Sequence, residues 1–270
     1  RPLEHIGEAK AAARLHHSGE QGTANARLYA GALNSGDGGA IEINAGQLRL
    51  AMRGAIVADV RDTGDGGNVH IKADEMLIDH GSVYGSTSGS GVGSSVRVET
   101  DELRLANGGR IESAAFGPGQ AGELDIAADI VAISGQGEWF DPKDVDAEQS
   151  GEIARSGFVT STEAAGDAGT IHLTTPELEL DAGIIGSASS GEGAAGSINL
   201  GIGESMLLQN DAQVSVRSAL ADGGDITVQT GGQVLVDNSE LSASAKLDGG
   251  SVRLYGDGAF LMIDGRITAE

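Results

Sequence analysis

Apolar residues in this chain come in short alternating runs, and the runs recur. One run opens after each glycine-rich turn: Ile41-Ile43-Ala45, Val69-Ile71-Ala73, Val96-Val98, Leu124-Ile126, Ile226-Val228. A second follows within a few residues: Leu48-Leu50, Met76-Ile78, Leu103-Leu105, Val131-Ile133, Leu178-Leu180, Val234-Val236. A third closes the unit: Ile56-Ala58, Val83-Gly85, Ile111-Ser113, Val214-Val216, Leu241-Ala243, Ile267-Ala269. Strict alternation is the strand period, so the named residues of each run share one face. Glycine, asparagine and aspartate separate the runs, as turns require.

The unit repeats. Its first apolar residues are Ile41, Val69, Val96, Leu124, Ile171, Ile198, Ile226 and Val252, at intervals of 28, 27, 28, 47, 27, 28 and 26 residues. Seven of the eight units carry a glycine two places earlier; the third has Ser94 there. One unit alone has nothing to bury its apolar face against. Stacked, each strand pairs with its counterpart one repeat on, and the apolar faces line one interior. The pattern predicts an all-β protein, a parallel β-solenoid of about eight coils of 27–28 residues with three short strands per coil, over 36–270. At one strand spacing per coil the rod is ~40 Å long.

The turn "GDGGNVHIKAD" (Gly64 to Asp74) reads as a solenoid corner rather than a phosphate loop, because a strand and not a helix follows it. Gly66 and Gly67 are expected to supply positive φ there. Asp65 is expected to bond forward within its own turn. Asp37, Asp167, Asp222 and Asp248 hold the equivalent place, and Val92, Gln120 and Ala194 interrupt the column. A continuous calcium edge is therefore not expected. The narrower expectation is a weak calcium ion at the pairs Asp37/Asp65 and Asp222/Asp248. On the outer surface the register sets Arg97 beside Asp125 and Lys72 beside Glu99.

Two segments break the repeat. Residues 1–35 are an N-terminal cap or an irregular first coil. Leu3 to Gly22 has helix-forming composition, while Leu28 and Ala30 suit a strand of an imperfect coil. His5, His16 and His17 in this segment are either a metal cluster or solvated side chains. The long interval holds ~19 extra residues at about 135–157, an insertion that has to project from the rod, where solenoids carry function. It contains the single tryptophan, Trp139, with Phe140, Asp141, Asp144, Asp146 and Glu148. This is an aromatic platform ringed by acids, suited to a sugar or a partner surface, or a loop folded back on the flank of the rod. The acids do not have the spacing of an EF-hand calcium loop.

Composition narrows the function. Glycine is 44 of 270 residues, proline 4 and aromatics 3%, which fits a thin interior filled by small and branched side chains. The net charge is −23, so the basic footprint of a nucleic-acid-binding protein is missing. There is no cysteine. No catalytic constellation is visible, and no cofactor is implied beyond the weak calcium. The chain stops at "GRITAE" in mid-pattern, as a piece of a longer protein would.

The unit "GGNVHIKADEMLIDHGSVYGSTSGSG" (Gly66 to Gly91) resembles the repeats of filamentous-haemagglutinin-like exoproteins of two-partner secretion. The segment Val131 to Leu200, from "VAISGQGEWF" through "GTIHLTTPELELDAGIIGSASSGEGAAGSINL", follows that family's habit even at its insertion. The resemblance covers about Gly36 to Glu270. It implies a right-handed parallel β-helix, export through an outer-membrane secretion partner, and a place outside the cell or on the bacterial outer surface. It also implies a role in adhesion, to a host, cell-surface or polysaccharide ligand, or in surface filaments. The near-uniform repeat without clustered chemistry points to a non-enzymatic rod, and the unpaired strand edges at the two ends of a solenoid point to end-to-end self-assembly. The alternative from the residues themselves is a carbohydrate-active β-helix enzyme or polysaccharide-binding module that uses the Trp139 loop.

Overall fold

The computed structural model describes residues 27–32, 36–138 and 153–270. They form a parallel β-solenoid of about eight turns. A ten-stranded sheet runs through Ile41–Ala51, Val69–Asp79, Val96–Ala106, Leu124–Ser134, Ile171–Asp181 and Ile198–Gln209. It ends in the pairs Ile226–Thr230 with Gln233–Asp237 and Val252–Gly256 with Phe260–Ile263. A nine-stranded sheet stacks Arg27–Ala32, Ala55–Val60, Ser82–Thr87, Arg110–Ala115, Gly157–Thr162, Ile184–Ser189, Gln213–Ser218, Glu240–Ala245 and Arg266–Ala269. Every pairing within these two sheets is parallel.

The register is the one the repeat predicts. Ile41 pairs with Val69, Val69 with Val96, Val96 with Leu124, and Leu124 with Ile171. Ile171 then pairs with Ile198, Ile198 with Ile226, and Ile226 with Val252. Leu28 pairs with Ile56, so Leu28 and Ala30 do sit on a strand below the first full coil. The helix expected over Leu3 to Gly22, and His5, His16 and His17, lie outside the described residues.

The three short strands per coil need correction. In the first six coils the first two are one continuous strand of 11 or 12 residues. The chain bends without leaving the sheet. Val96, Val98 and Thr100 point inward, Asp101 and Glu102 both turn out, and Leu103 and Leu105 point inward again. One residue at the bend goes unpaired: the register passes from Ala73–Thr100 straight to Glu75–Glu102. Thr100 Oγ1 bridges the bend, 3.1 Å from the carbonyl oxygens of both Asp74 and Glu102. Thr175 repeats the contact with Asp129 and Glu177, at 3.2 and 2.9 Å. The bend lengthens toward the C-terminal end. Seven residues separate Ile171 from Leu178, but eight separate Ile198 from Met206, Ile226 from Val234 and Val252 from Phe260. In the last two coils the strand breaks there.

Two different corners complete the coil. Between the long strand and the short one, a residue in the left-handed region turns the chain: His80 (φ 52), Asn107 (φ 51), Ala182 (φ 55), Asn210 (φ 57), Asn238 (φ 44) and Asp264 (φ 48). Asparagine and aspartate tolerate this conformation better than other side chains. The glycine corner, which carries "GDGG", works otherwise. Gly66 and Gly67 do not have positive φ, contrary to expectation. Their small size is needed because the next coil lies so close. A Cβ on Gly67 would meet Gly39 O at 1.9 Å, and one on Gly169 would meet Gly122 O at 1.9 Å.

The interior is the continuous aliphatic cluster the alternation marks, from Ile41 to Ala243, with Phe158 its one ring. Buried hydroxyls tie the short strands to the glycine corner: Ser94 Oγ to Ala58 O at 3.1 Å, Ser113 Oγ to Ser94 O at 3.1 Å, and Thr160 Oγ1 to Gly169 O at 2.6 Å. These bonds satisfy buried carbonyls of the corner, Ser94 O and Gly169 O, and of the short strand, Ala58 O, together with the buried hydroxyls themselves.

Gly67→Ala is expected to lower stability by about 1–3 kcal/mol through overpacking. Gly201 lies mid-strand, and the atom nearest a Cβ there is 3.7 Å away; Gly201→Ala is expected within about 0.5 kcal/mol of the parent. Urea unfolding of the two variants, measured in parallel, checks the contrast.

Candidate functional site

The insertion leaves the rod at the left-handed corner of the fourth coil. The sheets take no notice of it: Ser134 stays in register with Ala106, and Gly157 with Arg110. Between these pairs one coil has residues 107–109 and the other has 135–156, a difference of 19. The departing and returning chain form an antiparallel stem, Gln136–Glu138 against Ile153–Arg155, with Ile153 facing Glu138 and Arg155 facing Gln136. Gly135 makes the exit turn at φ 71. Gly137 passes directly over Asn107, where a Cβ would stand 2.1 Å from the Asn107 carbonyl oxygen.

The foot of the stem is fastened to several coils. Ser156 is fully buried. Its hydroxyl donates to Ser134 O at 2.7 Å and accepts from the Gly108 amide at 3.0 Å. The Ser156 amide donates to Gly135 O at 3.0 Å. The Arg155 guanidinium reaches down the rod, donating to Ala182 O at 3.2 Å and to Asp211 O. From the other side Arg110 Nε donates to Arg155 O at 3.1 Å. Third, fourth, fifth and sixth coils are thereby joined at one point. Trp139, Phe140, Asp141, Asp144, Asp146 and Glu148 belong to the segment between the stem strands and lie outside the described residues.

The acids of the glycine corner have a structural partner. The Asp65 amide donates to Asp37 Oδ1 at 3.0 Å, and the Val92 amide to Asp65 Oδ1 at 2.9 Å. The Ala194 amide donates to Asp167 Oδ1 at 2.8 Å, and the Asp248 amide to Asp222 Oδ1 at 3.3 Å. Each aspartate thus reaches across to the next coil, 26–28 residues on, instead of forward within its own turn. This explains the interruptions at Val92 and Ala194: each donates such a bond through its backbone amide, and its own side chain is free to vary. Among the described residues no group of three or more His, Cys, Asp or Glu side chains is arranged to hold a metal ion. Asp37 with Asp65 and Asp222 with Asp248 are neighbours, as expected, with one oxygen each of Asp37, Asp65 and Asp222 committed to an amide.

The same device recurs closer to the strands. Ser95 Oγ accepts from the Glu123 amide and Ser197 Oγ from the Asp225 amide, both at 3.1 Å. Asp225 Oδ1 accepts from the Ser251 amide and hydroxyl at 2.8 and 2.7 Å, and its Oδ2 pairs with Arg253 at 2.7 Å. The hydrogen bond from Ser251, followed by that from Arg253, holds the Asp225 carboxyl below its ordinary value. On the outer face Arg97 reaches Asp125 at 3.2 Å, as the register predicts. Lys72 stands beside Glu99 in the register, as expected, while the Glu99 carboxylate pairs with Arg97 Nε at 2.8 Å and lies 3.5 Å from His70 Nε2. A two-residue step along one strand brings Arg97 and Glu99 onto the same face, and the longer guanidinium reaches first. That hydrogen bond is the main reason the Glu99 carboxyl is also held low.

A second buried layer escaped the sequence reading. The outward side chains of the nine-stranded sheet are buried in the first three coils, where Ala55, Val57, Tyr84 and Ala114 form a cluster of their own. Asp59 is fully buried beside them, accepting from Ser86 Oγ at 2.6 Å and Arg61 Nε at 3.0 Å. Apolar Val57, Tyr84 and Ala114 at outward register positions were the available signal.

Compared with protein-family models, with curated proteins and with solved structures, the chain has no match. Its class rests on the ladder itself: a β-helix repeat protein, a parallel solenoid carrying one stemmed insertion.

Two outcomes follow from the acceptors. Asp65→Ala loses about 1 kcal/mol of stability, while Asp65→Asn, which keeps an acceptor oxygen, retains most of it; urea midpoints of the two variants read the difference. For Asp225 the folded carboxyl ionises below the ~3.9 of an unfolded aspartate. Its contribution is therefore complete above that pH and is lost as the pH falls through the folded value. The stability gap between the parent and Asp225→Asn should hold at neutral pH and close on acidification below about pH 4, as followed by melts across the acid range.

Proposed function

We propose that this chain is a non-enzymatic, adhesive rod of the bacterial outer surface, exported through an outer-membrane partner, whose insertion is the attachment element. The observation that carries the reading is the fastened stem. In a solenoid whose other coils repeat within a residue or two, one corner interrupts the repeat, and Ser156, Arg155 and Arg110 join its foot to four coils. Attachment loads a binding loop and its root together. A root spread over several coils shares that load through the ladder. The resemblance to filamentous-haemagglutinin-like exoproteins supports the same reading, and so does a polar outer face with paired charges of both signs. The segment between Glu138 and Ile153 supplies Trp139 and Phe140 for an apolar contact, with Asp141, Asp144 and Asp146 following in sequence. Aromatic anchors with a polar surround are the usual composition of a binding surface.

Replacing residues 139–152 with Asn-Gly, which closes a two-residue hairpin, is expected to leave the melting temperature unchanged. Binding to cultured epithelial cells and to immobilised polysaccharide is expected to fall at least tenfold. Attachment that survives the replacement overturns the reading. So does steady release of reducing sugar ends that stops in Asp141→Asn and Asp144→Asn variants, which makes the loop part of an enzyme.

A further inference from the structure

A second surface feature lies away from the insertion. Over the described part of the last four coils the outer side of the bend forms a shallow, wide-open groove of about 660 Å³. Its lining residues are register counterparts. Thr174, Gly201, Gln229 and Tyr255 occupy one position in four successive coils. Pro176, Gly203, Gly231 and Asp257 line the groove beside them. The groove therefore runs along the rod axis, across the strands, for about 14 Å at one strand spacing per coil. It begins where the register shifts, between Thr175 and Glu177, and it follows the coils whose bend carries the extra residue. The first four coils have the shorter bend throughout.

Gly201 separates a built groove from an accident of packing. Many corner glycines, among them Gly67, Gly122, Gly169, Gly196, Gly224 and Gly250, are forced by coil contact, with Cβ clashes near 2 Å. Gly201 is not: its nearest neighbours would be Leu173 O at 3.7 Å and Thr174 Oγ1 at 3.8 Å, which is ordinary contact. Glycine weakens a strand without such a reason. Its effect here is to leave the middle of the groove unfilled.

The lining chemistry selects the occupant. Pro176 and the backbone of Gly201, Gly203 and Gly231 give a mainly apolar floor, and Tyr255, 54% exposed, adds a ring and a hydroxyl. Thr174, Thr230 and Gln229 supply neutral hydrogen-bonding groups, and Asp257 is the one charged residue of the lining. No lysine, arginine or histidine lines it, and the chain carries a net charge of −23, so an anionic ligand has nothing to pair with. An extended peptide would need free backbone groups to bond as a strand. The backbone of Ile171–Asp181, Ile198–Gln209 and Ile226–Thr230 is already paired within the sheet. What the groove offers is an apolar bed with side-chain hydroxyl, amide and carboxylate groups along a line. That matches a molecule with apolar ring faces, hydroxyls around its rim and a linear repeat. We propose that this groove binds a neutral, unbranched oligosaccharide lying along the rod axis, at a site separate from the insertion.

The test is titration calorimetry of the whole chain with neutral hexasaccharides of β-glucan, mannan, xylan, galactan and chitin type. A galacturonate hexamer and an extended-peptide library are run beside them. At least one neutral hexasaccharide should bind. Gly201→Phe, whose Cβ the fold accepts, and Tyr255→Ala should each weaken that binding at least tenfold with the melting temperature kept. Replacement of residues 139–152 should leave it unchanged, so failure of the adhesive reading and failure of this one are separate results. The proposal is overturned if no neutral hexasaccharide binds, if the acidic hexamer or a peptide binds more tightly, or if Gly201→Phe binds as the parent does. It is also overturned if the loop replacement abolishes binding.

Discussion

Neighbouring coils stand about one strand spacing apart, ~4.8 Å, all the way round the rod, and this distance dictates which residue goes where. On the sheets it lets like side chains stack in columns. At the glycine corner it leaves most coils no room for a Cβ, since one built on Gly67 would stand 1.9 Å from the Gly39 carbonyl oxygen, and only the third coil, with Ser94, admits one. It also sets amides of one coil opposite side chains of the last, where Asp37, Asp65, Asp167 and Asp222 accept them. Left-handed residues at the other corner keep the loop short enough for the spacing to hold there too. Apolar burial stabilises the stack, but burial alone is indifferent to register. The glycines and the cross-coil acceptors are what make a slip of one residue costly.

That constraint also explains why the architecture could be read from the chain. A column of equal environments imposes equal residues at equal intervals, so Ile41, Val69, Val96 and Leu124 announce their pairing before any coordinate is known. Three features were harder to see. The bend between the first two runs looks like a turn because Asp101 and Glu102 are polar, yet two outward residues in succession can kink a strand without ending it. Positive φ lies at the other corner, because a glycine in sequence does not say whether it is there for conformation or for space. His80 and Ala182, which do adopt the left-handed conformation, carry no such label. The aspartates suggest local bonds because a turn is local, whereas in a solenoid the nearest backbone belongs to the next coil.

The site is less legible than the fold for a related reason. Repetition marks what the stack needs, and function resides in departures from it. The insertion is visible as a long interval, but Ser156 and Arg155, which hold its foot, sit in no pattern. The groove is fainter still. It depends on one added residue in the bend of three coils and on a glycine, Gly201, that the stack does not require. Small deviations in spacing, set against a strict repeat, are the signal that would have found it.

The stem has a consequence for how such a rod can change. Glu138 and Ile153 are already held side by side by the antiparallel pair. Whatever joins them has its ends brought together in advance, and the entropy of closing a loop between fixed ends grows only with the logarithm of its length. The coils on either side keep their pairing regardless, because Arg110 meets Gly157 directly. The corner is in effect a socket. A longer, shorter or foreign segment can be spliced into it at nearly constant cost to the scaffold, so the joining segment is free to diversify under selection while the rod stays fixed.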